Sequence, residues 1–120
     1  MKYLFLLNDA ADGPPEDSAS PEYREIYGQY ARALTAMGEA GVLIDCAPLR
    51  GYSSATTVRV RDGQTLLTDG PAAEIKEQCG GYTLIECEDL DEAQRWAALM
   101  PAAATGSVEV RTVFSTEAPR

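Results

Sequence analysis

The chain has 120 residues, 45% of them hydrophobic, and a formal net charge of -9 at pH 7. This length predicts one domain that can bury a core without needing a metal ion or a disulfide. The acidic balance argues against a nucleic-acid or anionic membrane partner, because both are bound by basic surfaces, and no window reaches the ~20 apolar residues of a membrane span.

The histidine and cysteine content limits the catalytic and metal sites that the chain can form. The chain has no histidine, which excludes a Ser-His-Asp or Cys-His catalytic unit within it. Cys46, Cys79 and Cys87 lack the C-x-x-C spacing of a zinc site, and no cofactor motif is present. An odd number of cysteines without a signal peptide indicates free thiols in a reducing cytoplasm. The apolar start, Met1 to Leu7, is too short for a signal sequence.

The first half predicts a strand, a helix and a strand. Lys2 to Leu7 is an apolar run typical of a buried strand. After an acidic, proline-containing loop, Ser20 and Pro21 are typical of an N-cap and a first helical position. Gly41 ends the helix, and Val42 to Leu49 is the next predicted strand. The helix is expected to be amphipathic because apolar residues recur at helical spacing: Tyr23, Ile26, Tyr27, Tyr30, Leu34 and Met37.

A β-hairpin is predicted next. Thr56 to Arg61 alternates, with valines on one face and arginines on the other. Asp62-Gly63 is a strong hairpin turn signal, and Gln64 to Thr68 returns as the partner strand. The polar segment Thr68 to Tyr82 follows, and we interpret it as a functional or mobile loop because of its length. A short helical turn around Ala73 to Gln78 is compatible with its composition.

The last third predicts a second strand-helix-strand unit. Gly81 to Cys87 is a strand. Asp89 is a predicted N-cap, with Glu92 three residues later as in a capping box, and Pro101 ends the helix. Ser107 to Val113 alternates as the final strand. The helix has its own apolar stripe: Leu90, Ala93, Trp96, Ala97 and Met100.

This order predicts an α+β fold, a ferredoxin-like β-α-β, hairpin, β-α-β arrangement. We assign residues 1–114 to a single domain and 115–120 to a flexible C-terminal tail. Both faces of the sheet are apolar, with Leu4 and Leu6 opposed to Tyr3, Phe5 and Leu7. Because both helices cover one face, the other is expected to be open and to form a homodimer interface.

Three stretches carry a family resemblance. These are T-V-R-V-R-D-G, then T-D-G-P-x-A-E-x-K-E-Q-x-G-G-Y-x-L-I-E-x-E-D-L-D-E-A, and P-A-A-x-x-G-S-V-E-V-R. From Lys2 to Val113 the chain resembles the YCII-related proteins, specifically their DGPF-domain branch. The resemblance implies a bacterial protein that forms a dimeric α/β barrel, and many family members are encoded near extracytoplasmic-function sigma factors. Activity in this branch is largely unassigned, whereas a His-Asp site was proposed for the better-known branch.

The chain departs from both family patterns. The phenylalanine of the DGPF motif is replaced by Ala72, which removes a ring from the loop. The position of the other branch's histidine falls near Tyr30, and no carboxylate lies around Ala98 to Met100. The His-Asp chemistry of that branch is therefore not expected here.

Two carboxylates and two cations are the main candidate site residues. Asp69 or Glu74 is a candidate acid/base, and Arg59 or Lys76 a candidate clamp for an anionic ligand. Each has a structural alternative. Asp69 can cap its own turn, Glu74 and Lys76 can belong to a solvated turn with Glu77, and Arg59 can protect a sheet edge.

Two tyrosines complete the candidate substrate-binding set. Tyr30 either belongs to the helix-on-sheet core or lends its hydroxyl to a cavity, and Tyr82 ends the polar segment. Gly80-Gly81 either admits an anion or lets the loop turn into the strand. Cys79 lacks a histidine that would activate it as a nucleophile.

Two functions remain open at this point. The first is a cofactor-free enzyme or small-molecule-binding protein that uses a cavity of the dimeric barrel. The second is a non-catalytic ligand-sensing or protein-interaction module, linked by the resemblance to sigma-factor regulation. A scaffold without a site is a third possibility, since a fold alone does not define a function.

Overall fold

The computed structural model describes residues 1–10, 12, 14–73 and 76–115, and shows a mixed α+β chain with antiparallel sheets. The predicted strands and both long helices are present. β1 continues to Asp9, β5 begins earlier than predicted, at Gln78, and a short third helix follows Pro101 where none was predicted. The helices and strands are β1 Lys2–Asp9, α1 Pro21–Glu39, β2 Leu43–Pro48, β3 Thr56–Arg61, β4 Gln64–Asp69, β5 Gln78–Glu86, α2 Leu90–Ala97, α3 Ala102–Thr105 and β6 Ser107–Thr112.

Four strands form the main sheet, in the order β2-β5-β1-β6, and every neighbouring pair is antiparallel. β1 lies between β5 and β6. Its residue Phe5 pairs with Thr83 on one side and Val110 on the other. β3 and β4 pair only with each other and form a separate two-stranded sheet.

The core lies between one face of the main sheet and the helices. Tyr3 and Phe5 are 1% and 0% exposed, and Ile85 beside them is also fully buried. They pack with small and flexible residues of the helices, which let the backbones approach closely: Ala33, Met37, Ala93 and Ala97. Burying a large apolar side chain contributes roughly 1.5–3 kcal/mol, so the burial of these side chains stabilises the fold.

The opposite face of the main sheet, here called the open face, carries Leu4, Leu6, Tyr82 and Leu84. These side chains are half-buried, and none of them belongs to the core cluster or its packed neighbours. The molecule measures 21 Å along its shortest axis. Since packed layers lie about 10 Å apart, this thickness accommodates one helix layer and one sheet. Along β1, Tyr3 and Phe5 are buried and Leu4 and Leu6 are half-buried, which confirms the predicted alternation.

The helix ends agree with the predicted capping residues. The Ser20 hydroxyl accepts a hydrogen bond from the Tyr23 backbone N–H at 3.1 Å, and Pro21 is the first residue of α1. Gly41, with a φ of +75°, adopts the left-handed conformation that ends a helix. The Asp89 carboxylate accepts from the Glu92 N–H at 2.9 Å and caps α2.

The hairpin of β3 and β4, residues 56–69, is here called the arm. Its turn residues Asp62 and Gly63 have φ values of 51° and 75°, the backbone of a type I′ hairpin turn. The base of the arm is held by the Gly70 N–H, which donates to the Ala55 carbonyl at 2.7 Å, and by the Thr57 hydroxyl, which donates to the Gly70 carbonyl at 2.7 Å.

Two predicted features fall wholly or partly outside the described residues. Residues 116–120 of the predicted tail are outside the described residues. The helical turn proposed around Ala73 to Gln78 includes two residues outside them, and the described remainder of that segment consists of bends and the start of β5. Within the described residues, no helix is long and apolar enough to cross a membrane.

Candidate functional site

A cleft of about 490 Å³ opens between α1 and the ends of strands β1, β2 and β5. A cavity of this size is within the range that takes a small organic ligand. Its apolar wall comes from Leu7 on β1, from Ile26 and Leu34 on α1, and from Ala47 and Pro48 on β2. The cleft therefore lies at one end of the helix layer, beside the core.

The apolar stripe of α1 builds both the core and the cleft. Its buried residues, Ala33 and Met37, are in the C-terminal half, where the helix packs on the sheet. In the N-terminal half, Ile26, Tyr27 and Tyr30 are only half-buried and line the cleft. One helical periodicity thus serves two purposes, and Tyr30 fits both of its proposed roles because it also packs against the core.

Tyr30 keeps its proton at neutral pH. Burial raises the pKa of its phenol, and the charge of Asp9 and the neighbouring Tyr27 raise it further, while a hydrogen bond from the Ala102 backbone opposes them. Burial also raises the pKa of Tyr27. The cleft therefore contains two neutral phenols, which can hydrogen-bond a ligand but cannot act as bases.

Three carboxylates line the cleft: Asp9, Asp12 and Glu22. Asp9 accepts hydrogen bonds from the Ala10 N–H at 2.7 Å and from the Thr105 hydroxyl at 2.8 Å. Among the lining residues that the structure describes there is no lysine or arginine. The cleft is therefore a poor site for an anion and suits a neutral or cationic ligand.

Asp12 ties the cleft to the base of the arm. Its carboxylate accepts a hydrogen bond from the Ser53 N–H at 3.1 Å. Hydrogen bonds from the Ser53 side chain and backbone hold the pKa of Asp12 below its usual range. Gly51 is needed beside it, because a Cβ there would collide with the carbonyl and carboxylate of Asp12. The loop leading into the arm is thus fastened to the cleft wall.

Tyr82 is a lining residue whose phenol is engaged elsewhere. The alternation of β5 directs its side chain to the open face, where the hydroxyl donates to Asp45 Oδ2 at 2.8 Å. This hydrogen bond is the main reason that the pKa of Tyr82 is raised. Gly81 next to it faces the helix layer, and a Cβ there would lie 2.9 Å from the Ala47 carbonyl oxygen.

The structure brings together some of the predicted site residues and not others. Tyr30 and Tyr82 line the cleft. Arg59, Asp69 and Lys76 are exposed and do not line it within a single chain. Arg59 lies on the arm, and Asp69 ends β4 opposite Thr56. Glu74 lies outside the described residues. A role for these four residues in binding or catalysis stays a prediction.

The acidic residues of the cleft were not predicted as site residues. Asp9 follows the apolar run of the first strand, and Asp12 lies in the loop that leads from it to the first helix. A loop at a strand end that also precedes a long helix is a common position for functional residues, and this was the available signal. Gln78 and Gly80, from the predicted polar segment, do line the cleft.

These features define a small α+β domain with one open sheet face and a cleft beside its core. Residues 1–117 match the YCII-related domain, and the chain belongs to that family. An uncharacterised protein of Rhizobium meliloti (strain 1021) is 47% identical over 75 residues, which cover 61% of this chain. The match spans 60% of that relative's length.

A solved structure also resembles this chain across most of its length. It is the 5-chloro-2-hydroxyhydroquinone dehydrochlorinase TftG from Burkholderia phenoliruptrix AC1100, in complex with 2,5-dihydroxybenzoquinone. The sequence identity is 17% and the TM-score is 0.46, with 95% of this chain and 94% of that chain covered.

Proposed function

We propose that this chain binds a small, largely apolar molecule in the cleft beside α1. The observation that supports this most is the cavity itself, about 490 Å³, with an apolar wall and two neutral phenols. A mostly apolar cavity with a few polar groups is the usual form of a ligand site. Tyr30 orients the ligand through its hydroxyl, and Leu34 and Ile26 contact its apolar part.

Binding without catalysis is the function that the contacts favour. Asp9 already accepts hydrogen bonds from Ala10 and Thr105, and Asp12 from Ser53. A general base needs a carboxylate that is free to take a proton from the substrate. We therefore propose a ligand-sensing or carrier module. The enzyme alternative requires Glu22, the third carboxylate of the cleft, to act as the base, or Asp69 or Glu74 to reach the cleft, together with Arg59 or Lys76.

The assembly belongs to the same proposal. The strand order β2-β5-β1-β6 with two βαβ-type halves supports a ferredoxin-like fold, and the apolar open face supports a homodimer with two facing sheets, a dimeric α/β barrel. The DGPF-type motif around Asp69 supports assignment to that branch. We further propose a bacterial protein, as the family resemblance implies, and a cytoplasmic location, on the basis of the free cysteines Cys46, Cys79 and Cys87.

The binding proposal is tested with phenol and benzoate, two probes of similar size that differ in charge. Isothermal titration should detect weak phenol binding to the wild type and at least about tenfold weaker binding of benzoate, because carboxylates line the cleft. Leu34→Trp fills the cleft and should abolish phenol binding. Leu66→Trp, the same change on the arm, is the matched control and should leave binding unchanged. Equal binding to both variants would contradict the assignment of the cleft.

The predicted loop residues are tested in the same titration. If Asp69 and Lys76 reach the cleft of another copy, Asp69→Asn and Lys76→Ala should abolish phenol binding as well. If phenol binding survives both changes and is lost only in Leu34→Trp, the segment after the arm is structural, and the site belongs to the helix and strand ends alone.

A further inference from the structure

The arm has an apolar face that none of the described residues of its own chain covers. Cross-strand pairs share a face, so the pairing of Val58 with Leu67 and of Val60 with Thr65 puts Val58, Val60 and Leu67 together. These three side chains are 59%, 59% and 69% exposed. The other face of the arm carries Arg59 and Arg61.

The arm also extends beyond the compact part of the molecule. The Cα radius of gyration is 16.4 Å, compared with about 13.5 Å for a compact chain of this length. Each of its strands has six residues, or about 20 Å of extended chain. Since the molecule is only 21 Å thick, the arm extends sideways, past the edge of its own sheet, and does not fold across the open face.

An isolated two-stranded hairpin is marginally stable in water, and it needs another surface to pack against. We propose that the arm packs its Val58–Val60–Leu67 face on a second copy of this chain. This proposal refines the homodimer proposed above: when two open faces stack about 10 Å apart, a 20 Å arm that passes the sheet edge overlaps the margin of the other copy.

A second copy is the partner that fits this surface for two reasons. Each chain presents two uncovered apolar surfaces, the open face and the arm, and a two-fold pair covers both kinds at once, because each arm meets the other chain. The charges agree as well. The chain carries a net charge of -9, so two copies repel each other. Arg59 and Arg61 lie on the other face of the arm, where they bring positive charge near the acidic partner without being buried in the contact.

The anchoring of the arm favours a defined position over a free one. The Gly70 N–H and the Thr57 hydroxyl close its base, and Asp12 ties the preceding loop to the cleft wall. The arm therefore leaves the body in a fixed direction from the rim of the cleft. Docking on a second copy would limit movement of that rim, which places the dimer contact next to the ligand site.

The test compares two leucines that are neighbours on β4 but lie on opposite faces of the arm. Leu67→Glu puts a charge on the apolar face, and Leu66→Glu puts the same charge on the arginine face, opposite Arg59. Sedimentation equilibrium should show a wild-type dimer whose dissociation constant rises at least about tenfold in Leu67→Glu and stays within about threefold in Leu66→Glu, a contrast typical of buried and rim interface positions.

A third variant distinguishes the arm contact from dimerisation through the open face. Leu6→Glu, on the open face, should produce a monomer. If Leu67→Glu and Leu66→Glu dimerise equally well while Leu6→Glu does not dimerise, the arm proposal is wrong and the homodimer stands. If the wild type is a monomer at micromolar concentration, both are wrong.

Hydrogen exchange provides a readout that does not depend on a variant. In the wild type, arm amides should be protected at a concentration at which the dimer is populated, and dilution below the dissociation constant should remove that protection. Amides of β1 should keep theirs, because they lie in the centre of the main sheet. Arm protection that does not change with dilution would overturn the proposal.

Discussion

The main sheet and the arm are both antiparallel and both alternate apolar with other side chains, yet only one of them is buried. Phe5 on β1 is 0% exposed, whereas Val58 on β3 is 59% exposed. The difference lies in what packs against each sheet: α1 and α2 cover one face of the main sheet, and no described element covers the arm. Alternation thus specifies a strand, and the packing partner decides whether it is buried.

The two regions therefore differ in what holds them in place. The main sheet is stabilised by a core that includes Tyr3, Phe5 and Ile85. The arm depends on its turn, its cross-strand hydrogen bonds and the contacts at its base, none of which removes much apolar surface from water. We expect substitutions in the main sheet to change the free energy of unfolding, and substitutions on the arm to change association.

The largest effect is expected from Phe5→Ala. Removing a fully buried ring leaves a cavity and should lower the free energy of unfolding by about 3–5 kcal/mol. Leu66→Ala on the arm is the control and should change it by no more than about 0.5 kcal/mol, as for an exposed position. Urea unfolding at one fixed protein concentration measures both. Similar losses in the two variants would show that the arm contributes to the core.

Glycine substitutions give a second, smaller contrast. Gly106 joins α3 to β6, and a Cβ there would collide with the Asn8 carbonyl of β1. Gly106→Ala should therefore cost about 1–3 kcal/mol through a forced backbone shift. Gly63 in the arm turn has open space around it but a φ of +75°, and Gly63→Ala should cost about 1 kcal/mol through backbone strain alone.

Urea unfolding measures the free energy lost in both glycine variants, and hydrogen exchange shows which region each one loosens. Hydrogen exchange should show that Gly63→Ala loosens only the arm, since its strain is confined to the turn. Gly106→Ala should loosen the pairing of β1 with β6. Loss of protection throughout the molecule in Gly63→Ala would contradict the separation of the two regions.

The parts of the fold that were predictable from the sequence depend on local signals. Ser20-Pro21, Asp62-Gly63 and Asp89 mark a helix start, a turn and a second helix start through side-chain and backbone preferences that act over a few residues. The structure confirms all three. The short helix α3 was missed because Pro101, a signal for the end of one helix, is also the N-cap residue of the next.

The site was less predictable because it depends on contacts between distant segments. The Asp9 carboxylate meets Thr105 across a separation of 96 residues, and Asp12 meets Ser53 across 41. No local pattern encodes these pairs. The polar segment after the arm was predicted as functional or mobile from its composition and length, and its last residues do line the cleft. The wall opposite them comes from α1, whose apolar stripe was interpreted as core, with only Tyr30 offered as a cavity residue.

The smallest effect is expected at alkaline pH. The pKa of Tyr30 is raised above its ordinary value of 10.0 in the folded protein, mainly by burial. The unfolded chain therefore loses this proton first, and the stability that Tyr30 contributes is complete below about pH 10 and is lost as the pH rises through the folded pKa. Tyr30→Phe should flatten the decline in melting temperature above pH 10.

That pH profile also separates the cleft from the arm. Leu66→Ala changes no ionisable group, so its melting temperature should decline above pH 10 as in the wild type. Tyr82→Phe removes the phenol that donates to Asp45. Because that hydrogen bond raises the pKa of Tyr82, this variant should show a flatter decline, as Tyr30→Phe does. The effect is small since both phenols remain partly accessible to water. If Tyr30→Phe declines as steeply as the wild type, the Tyr30 hydroxyl is not desolvated by the cleft, and the apolar character assigned to that cavity fails with it.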